Sequence, residues 1–142
     1  MKLANNLAFE PTLAKLESIY DCKYEKEQLN TLRLGFENGV DIHKYANPKL
    51  DWTYMNCIRK ALERGIDISK YIKPDYVSQV VSIIYVVAVN CGGIAQFVEH
   101  GELNFEDILE EYNLQRRIQN REPLEDFIQE AILMLGPYYV ND

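Results

Sequence analysis

Histidine, tryptophan and cysteine are scarce in this chain: two, one and three respectively among 142 residues. Cys22, Cys57 and Cys91 form an odd set with no C-x-x-C pair. That argues against a disulfide framework or a zinc site and fits a reducing compartment. Cys57 and Cys91 fall inside apolar helical patterns, where cysteine serves as a small buried hydrophobe. Long apolar runs are also missing. The best candidate, 77–89, is interrupted by Ser78, Gln79 and Ser82 and is too short for a membrane span. The first six residues lack the apolar core of a signal peptide, so a cytoplasmic location is expected. No G-x-G-x-x-G or G-K-[ST] phosphate loop occurs, and no lysine follows Gly92-Gly93. The sequence therefore offers no cofactor site and no metal site.

Positive charge is scarce in one half only. Residues 1–74 hold 12 Lys and Arg against 10 Asp and Glu. Residues 75–142 hold only Arg116, Arg117 and Arg121 against 12 acids, and the whole chain carries −7. A protein that wraps nucleic acid would lean the other way, because phosphate contacts need cations. An acidic half suits basic partners or solubility.

What is present is a repeat. The segment 32–45 (LRLGFENGVDIHKY) recurs 26 positions later as 58–71 (IRKALERGIDISKY), and Pro48 and Pro74 keep the register. A fixed period of this size marks stacked repeats, whose surfaces commonly bind macromolecules. Leu29, Leu32 and Phe36 align with Met55, Ile58 and Leu62 on one helix face. Gly35 and Ala61 are both small, which suggests close helix–helix approach. Gly39 and Gly65 should end the helices in the left-handed conformation, with Val40 and Ile66 as the hydrophobic residue of a Schellman-type cap. Asp41 and Asp67 read as N-caps of a second, very short helix closed by the prolines. A degenerate third copy begins at Asp75. Its apolar run 80–89 is β-branched enough for a strand, but the register and Gly92-Gly93 favour a buried helix. Residues 94–100 would be its short second element.

Other helices flank the repeats. Pro11 fits the first turn of a helix ending near Tyr20. Asn104 should cap a helix from Phe105 to about Asn120, with acids in its first turn and Arg116 and Arg117 near its end. Glu122-Pro123 should open a last helix over 124–135, with Leu124, Phe127, Ile128, Ala131, Ile132 and Leu135 facing inward. A short tail, 137–142, carries Tyr138 and Tyr139, and the pair suggests that it docks on something. The expected fold is all-α: one helical domain over 1–142, with 26-residue long-helix/short-helix repeats at 24–97 in a solenoid-like bundle, then an acidic helical pair at 102–136.

The pattern R-x-[GA]-[LF]-E-x-G-[IV]-D-[IV]-x-K-Y followed by proline resembles short tandem repeats in proteins of phages, plasmids and mobile elements of gut Firmicutes. Arg33/Arg59, Glu37/Glu63, Gly39/Gly65, Asp41/Asp67 and Tyr45/Tyr71 carry the resemblance, over about 24–74. Such elements often encode small acidic proteins that disable host defence, anti-CRISPR and anti-restriction proteins among them. The resemblance thus implies an inhibitor of a host nucleic-acid-handling protein.

Each sharp feature has a plain alternative. Arg33 with Glu37, and Arg59 with Glu63, form either a binding ladder or i, i+4 ion pairs on a helix surface; the pairs are favoured. Asp41 and Asp67 as paired catalytic carboxylates give way to capping, since His43 aligns with Ser69. Cys91 with His100 would be a nucleophilic dyad, but Glu99, Glu102, Glu106 and Asp107 nearby oppose thiolate formation. Tyr45 and Tyr71 read as core; Trp52, Tyr138 and Tyr139 are as well suited to an interface, where such residues are enriched. Glu102, Glu106, Asp107, Glu110 and Glu111 fall on one helix, as a solvated face or as a phosphate-mimicking surface. The expected function is non-catalytic binding of a host protein through Trp52, those five acids and the two tail tyrosines. The alternatives are a nucleic-acid adaptor using Arg33, Arg59, Lys60, Arg64, Lys70 and Lys73, and a small enzyme using Cys91 and His100. Self-association through the apolar third copy would also cap an open repeat end.

Overall fold

The computed structural model describes residues 2–139; the tail residues 140–142 lie outside them. The chain is mostly helical, with six α-helices and one two-stranded hairpin among the described residues. It divides into two compact units, Met1–Ser69 and Lys70–Asp142. No helix of the described residues is long and apolar enough to cross a membrane.

The first unit contains α1 (Lys2–Tyr20), α2 (Lys26–Glu37), a 3-10 turn (Ile42–Tyr45) and α3 (Trp52–Glu63). Pro11 lies inside α1, not in its first turn. Proline lacks the N–H that would bond the carbonyl four residues back; one residue on, the Thr12 hydroxyl donates to the Ala8 carbonyl at 3.1 Å. Phe9 meets Phe36 of α2 edge-on at 5.5 Å. Leu32, Met55 and Ile58 are fully buried between α2 and α3. Gln28, also buried, ties the following loop down. Its Nε2 donates to the carbonyls of Pro48 and Leu50, both at 3.0 Å, and its Oε1 accepts the Glu25 N–H at 2.9 Å. That spends a buried amide without an orphaned atom.

The two sequence copies end their helices identically. Val40 N–H bonds Gly35 O at 3.0 Å, and Ile66 N–H bonds Ala61 O at 2.9 Å. Gly39 and Gly65 sit at φ +81° and +78°. Both are Schellman caps. Asp41 then accepts the His43 N–H at 3.1 Å, and Asp67 accepts that of Ser69 at 2.9 Å, as N-caps should.

Gly35 is small for a reason other than a neighbouring helix. The buried Tyr45 ring crosses it, and its hydroxyl donates to the Thr31 carbonyl at 2.8 Å. A Cβ on Gly35 would stand 1.8 Å from that hydroxyl oxygen. A tyrosine lies this way only over glycine. The second copy has Ala61 there, and its tyrosine, Tyr71, is half-buried and not in the core.

A 3-10 turn (Ser69–Tyr71) begins at the last residue of the first unit, and the second unit contains α4 (Ser78–Cys91), a 3-10 turn (Ala95–Phe97), β1 (Val98–Glu99), β2 (Glu102–Leu103), α5 (Phe105–Ile118) and α6 (Asp126–Leu135). The β-branched run is a helix, as its register suggested: Val80, Val81, Ile83, Ile84, Val87 and Ala88 of α4 are buried. The segment 94–100 is not one short helical element. After Phe97 it enters a hairpin pairing Val98 with Leu103 and Glu99 with Glu102. His100 and Gly101, at φ +56° and +80°, form the two-residue turn whose positive φ values match strand twist. The last helix starts at Asp126, two residues later than expected: Glu125 at its N-cap is extended, with ψ 142°, and the Leu124 N–H before it is bonded to Asn113 Oδ1 at 2.8 Å. Its buried stripe is narrow. Ile128 and Ile132 are buried, whereas Phe127 and Leu135, expected inward, are 59% and 67% exposed. Its main packing partner is α5, and a helix set chiefly against one neighbour covers one row of side chains and leaves the flanking rows open.

Candidate functional site

The acidic surface grows from the start of α5. Asn104 Oδ1 accepts the Asp107 N–H at 3.2 Å and caps the helix. Glu106 and Asp107 occupy its first turn, where the helix dipole favours negative charge. Glu106 and Glu110 lie four apart, one above the other, with Asp107 beside them. All three are exposed, and no ion pair engages them among the described residues.

The other two acids of the expected cluster lie elsewhere. Glu102 belongs to β2, not to a helix, and faces Glu99 across the hairpin. Glu99 is held by Asn104 Nδ2 at 2.7 Å. The alternation Val98-Glu99 against Glu102-Leu103 around His-Gly was the signal for that pairing. Glu111 turns inward towards α4. It accepts the Cys91 thiol at 3.3 Å and Gln115 Nε2 at 3.4 Å. Burial, and then Glu111, push the Cys91 thiol above its ordinary value. His100 stands at the hairpin tip, 3.8 Å from Glu99, with its side chain 92% exposed. Cys91 thus has a carboxylate for its hydrogen-bond acceptor, which works against a thiolate nucleophile.

The two tail tyrosines separate. Tyr139 is buried, and its hydroxyl donates to Gln79 Oε1 of α4. The tail docks on its own chain, with Val77 N–H bonded to Pro137 O at 2.9 Å. Tyr139 therefore offers no contact surface. Tyr138 is half-exposed and meets Tyr76 edge-on at 5.1 Å. Trp52 belongs to the first unit. It opens α3 just after Asp51, which accepts the Thr53 N–H at 2.8 Å, and it is 41% exposed.

The two repeat arginines are placed differently. Arg33 makes no i, i+4 pair with Glu37. Its guanidinium lies 4.7 Å over the Phe9 ring and reaches Glu10 of α1 at 3.3 Å. Arg59 does pair with Glu63, at 2.7 Å, but it is buried and not on the surface, and it also donates to Thr31 Oγ1 at 3.1 Å. The threonine recruits the second arginine inward, a cross-helix contact that an alignment of repeats does not reveal. Lys60 and Arg64 remain exposed. No group of three or more His, Cys, Asp or Glu suited to a metal ion occurs among the described residues. The chain matches no protein-family model, and comparison with curated proteins and with solved structures returns no match.

Proposed function

We propose that this chain is a non-catalytic binding protein that covers a basic surface of a nucleic-acid-handling protein. One observation carries the proposal. Glu106, Asp107 and Glu110 form an exposed face without cationic partners among the described residues. That face belongs to the unit that holds the entire net charge, with 5 Lys and Arg against 12 Asp and Glu from residue 70 on. An unneutralised acid row can displace nucleic acid from a basic cleft at little cost, since the cleft is built for phosphates. The resemblance of 24–74 to repeats of phage and mobile-element proteins points to a host defence protein as the target, met in the cytoplasm. We read the two copies, as far as they lie in the first unit, as a short solenoid-like stack. Two ties between equivalent regions support this: Asn38 Nδ2 to Glu63 Oε2 at 2.7 Å, and Lys44 Nζ to Asp67 Oδ2 at 2.8 Å. Direct binding of nucleic acid is the weaker alternative, because Arg33 and Arg59 are engaged internally.

The test is affinity capture of the tagged chain from host lysate, with and without nuclease. The proposal expects a nuclease-resistant protein that itself binds nucleic acid, lost when Glu106, Asp107 and Glu110 all become Lys. Capture of nucleic acid alone, or of the same protein by the reversed variant, would overturn it.

A further inference from the structure

A cavity of about 400 Å³ lies wholly within the second unit, among the segment 70–76, the hairpin and the tail. Its lining includes four aromatic side chains, Tyr71, Tyr76, Phe105 and Tyr138. Three charged side chains join them: Lys70 and Lys73 from one segment, and Glu102 from the hairpin.

The repeat explains why a lysine is available there. In the first unit, Lys44 is taken by Asp67 of the next copy. Lys70 is the equivalent of Lys44, and the position equivalent to Asp67 is Gly93. Lys70 has therefore lost its acid, and its ammonium lies 5.8 Å from the Tyr71 ring centroid. Neither Lys70 nor Lys73 has an ion pair among the described residues. In a unit with a large acidic excess, two uncommitted cations beside an aromatic cavity form a local reversal of charge.

The three kinds of group suit three parts of one ligand. Aromatic faces accept a flat ring by stacking. Two ammonium groups attract a phosphate. A carboxylate only accepts, so it favours a ring edge that presents N–H donors. The volume falls in the range of small-molecule sites. We propose that this cavity binds a nucleoside monophosphate, with its base against the tyrosines, its phosphate at Lys70 and Lys73, and an amino-bearing base edge at Glu102. Guanine, which offers both an imino and an amino hydrogen, matches the carboxylate best. Uracil presents no amino group. This site shares no residue with the acidic face of α5, so either can fail alone.

The test is calorimetric titration of the full chain with GMP, using UMP, inorganic phosphate and a short single-stranded oligonucleotide as comparisons. GMP should bind with a dissociation constant on the order of 10–100 μM, and tighter than the other three. Lys73→Ala should weaken GMP about tenfold or more. Glu102→Gln should weaken GMP while leaving UMP unchanged. Both side chains are exposed, so neither change threatens the fold. No saturable GMP binding to about 1 mM would overturn the proposal. So would unchanged affinity in both variants, or equal or tighter binding of UMP, phosphate or the oligonucleotide.

Discussion

Gly35 and Tyr45 form a lock that can be opened from either side. Gly35→Ala drives a Cβ to 1.8 Å from the tyrosine hydroxyl, an overpacking that should cost about 1–3 kcal/mol. Tyr45→Phe removes the clashing oxygen, although the ring carbon behind it is still 3.0 Å away. In a double-mutant cycle by urea unfolding, Gly35→Ala should therefore cost clearly less in the Tyr45→Phe background. Equal costs in both backgrounds would mean that another group fixes the glycine. The alignment of Gly35 with Ala61 made smallness legible, but not its cause. The residue that demands it comes ten positions later and differs in environment between the copies. Cys91 offers a second test at this scale. Burial, followed by the Glu111 carboxylate, holds its thiol up, so little thiolate forms near neutral pH and alkylation should be slow. Glu111→Gln should speed labelling of Cys91, followed by mass spectrometry of its peptide. An unchanged or slower rate would remove Glu111 as a cause.

At the element scale, the repeat was legible wherever local chemistry decided the outcome. The Gly39 and Gly65 caps and the Asp41 and Asp67 N-caps need only their own neighbours. A Cβ at either glycine meets nothing within 4 Å. Gly39→Ala and Gly65→Ala should therefore each cost only the left-handed backbone penalty, about 1 kcal/mol. A cost of several kcal/mol at either would show packing not seen here. The hairpin had a local signal, the alternation around His100-Gly101, which the repeat register overrode; the inward turn of Arg59 was not legible, because it depends on Thr31 of another helix. The ties between copies add a pH dependence. Burial alone would raise the Glu63 carboxyl, but hydrogen bonds from Asn38 and Arg59 outweigh it. Burial is likewise outweighed at Asp67 by Lys44 and Ser69, so both carboxyls lie below their ordinary values. Such groups bind protons more readily in the unfolded chain. Their contribution is therefore full above the unfolded values, near pH 4–4.5, and is lost as the pH falls through the lower folded ones. Between about pH 6 and about pH 3, the urea midpoint should fall further in the native chain than in a Glu63→Gln, Asp67→Asn variant. Parallel falls would contradict the account.

At the scale of the whole molecule, charge is partitioned as sharply as structure. Residues 1–69 hold 10 Lys and Arg against 10 Asp and Glu, so the net charge of −7 belongs to residues 70–142. The imbalance was plain in the sequence; the division of its acids was not. Glu111 turns to Cys91 and Glu102 to the hairpin, which leaves Glu106, Asp107 and Glu110 as the open face. The central claim is that this face occupies a basic surface used for nucleic acid. The most direct measurement is the DNA affinity of the captured partner with and without saturating amounts of this chain. The account predicts that the chain weakens the partner's DNA binding at least about tenfold, as competition for one surface requires, and that the Glu106→Lys, Asp107→Lys, Glu110→Lys variant does not. A partner that binds DNA equally well while the chain remains bound would contradict it.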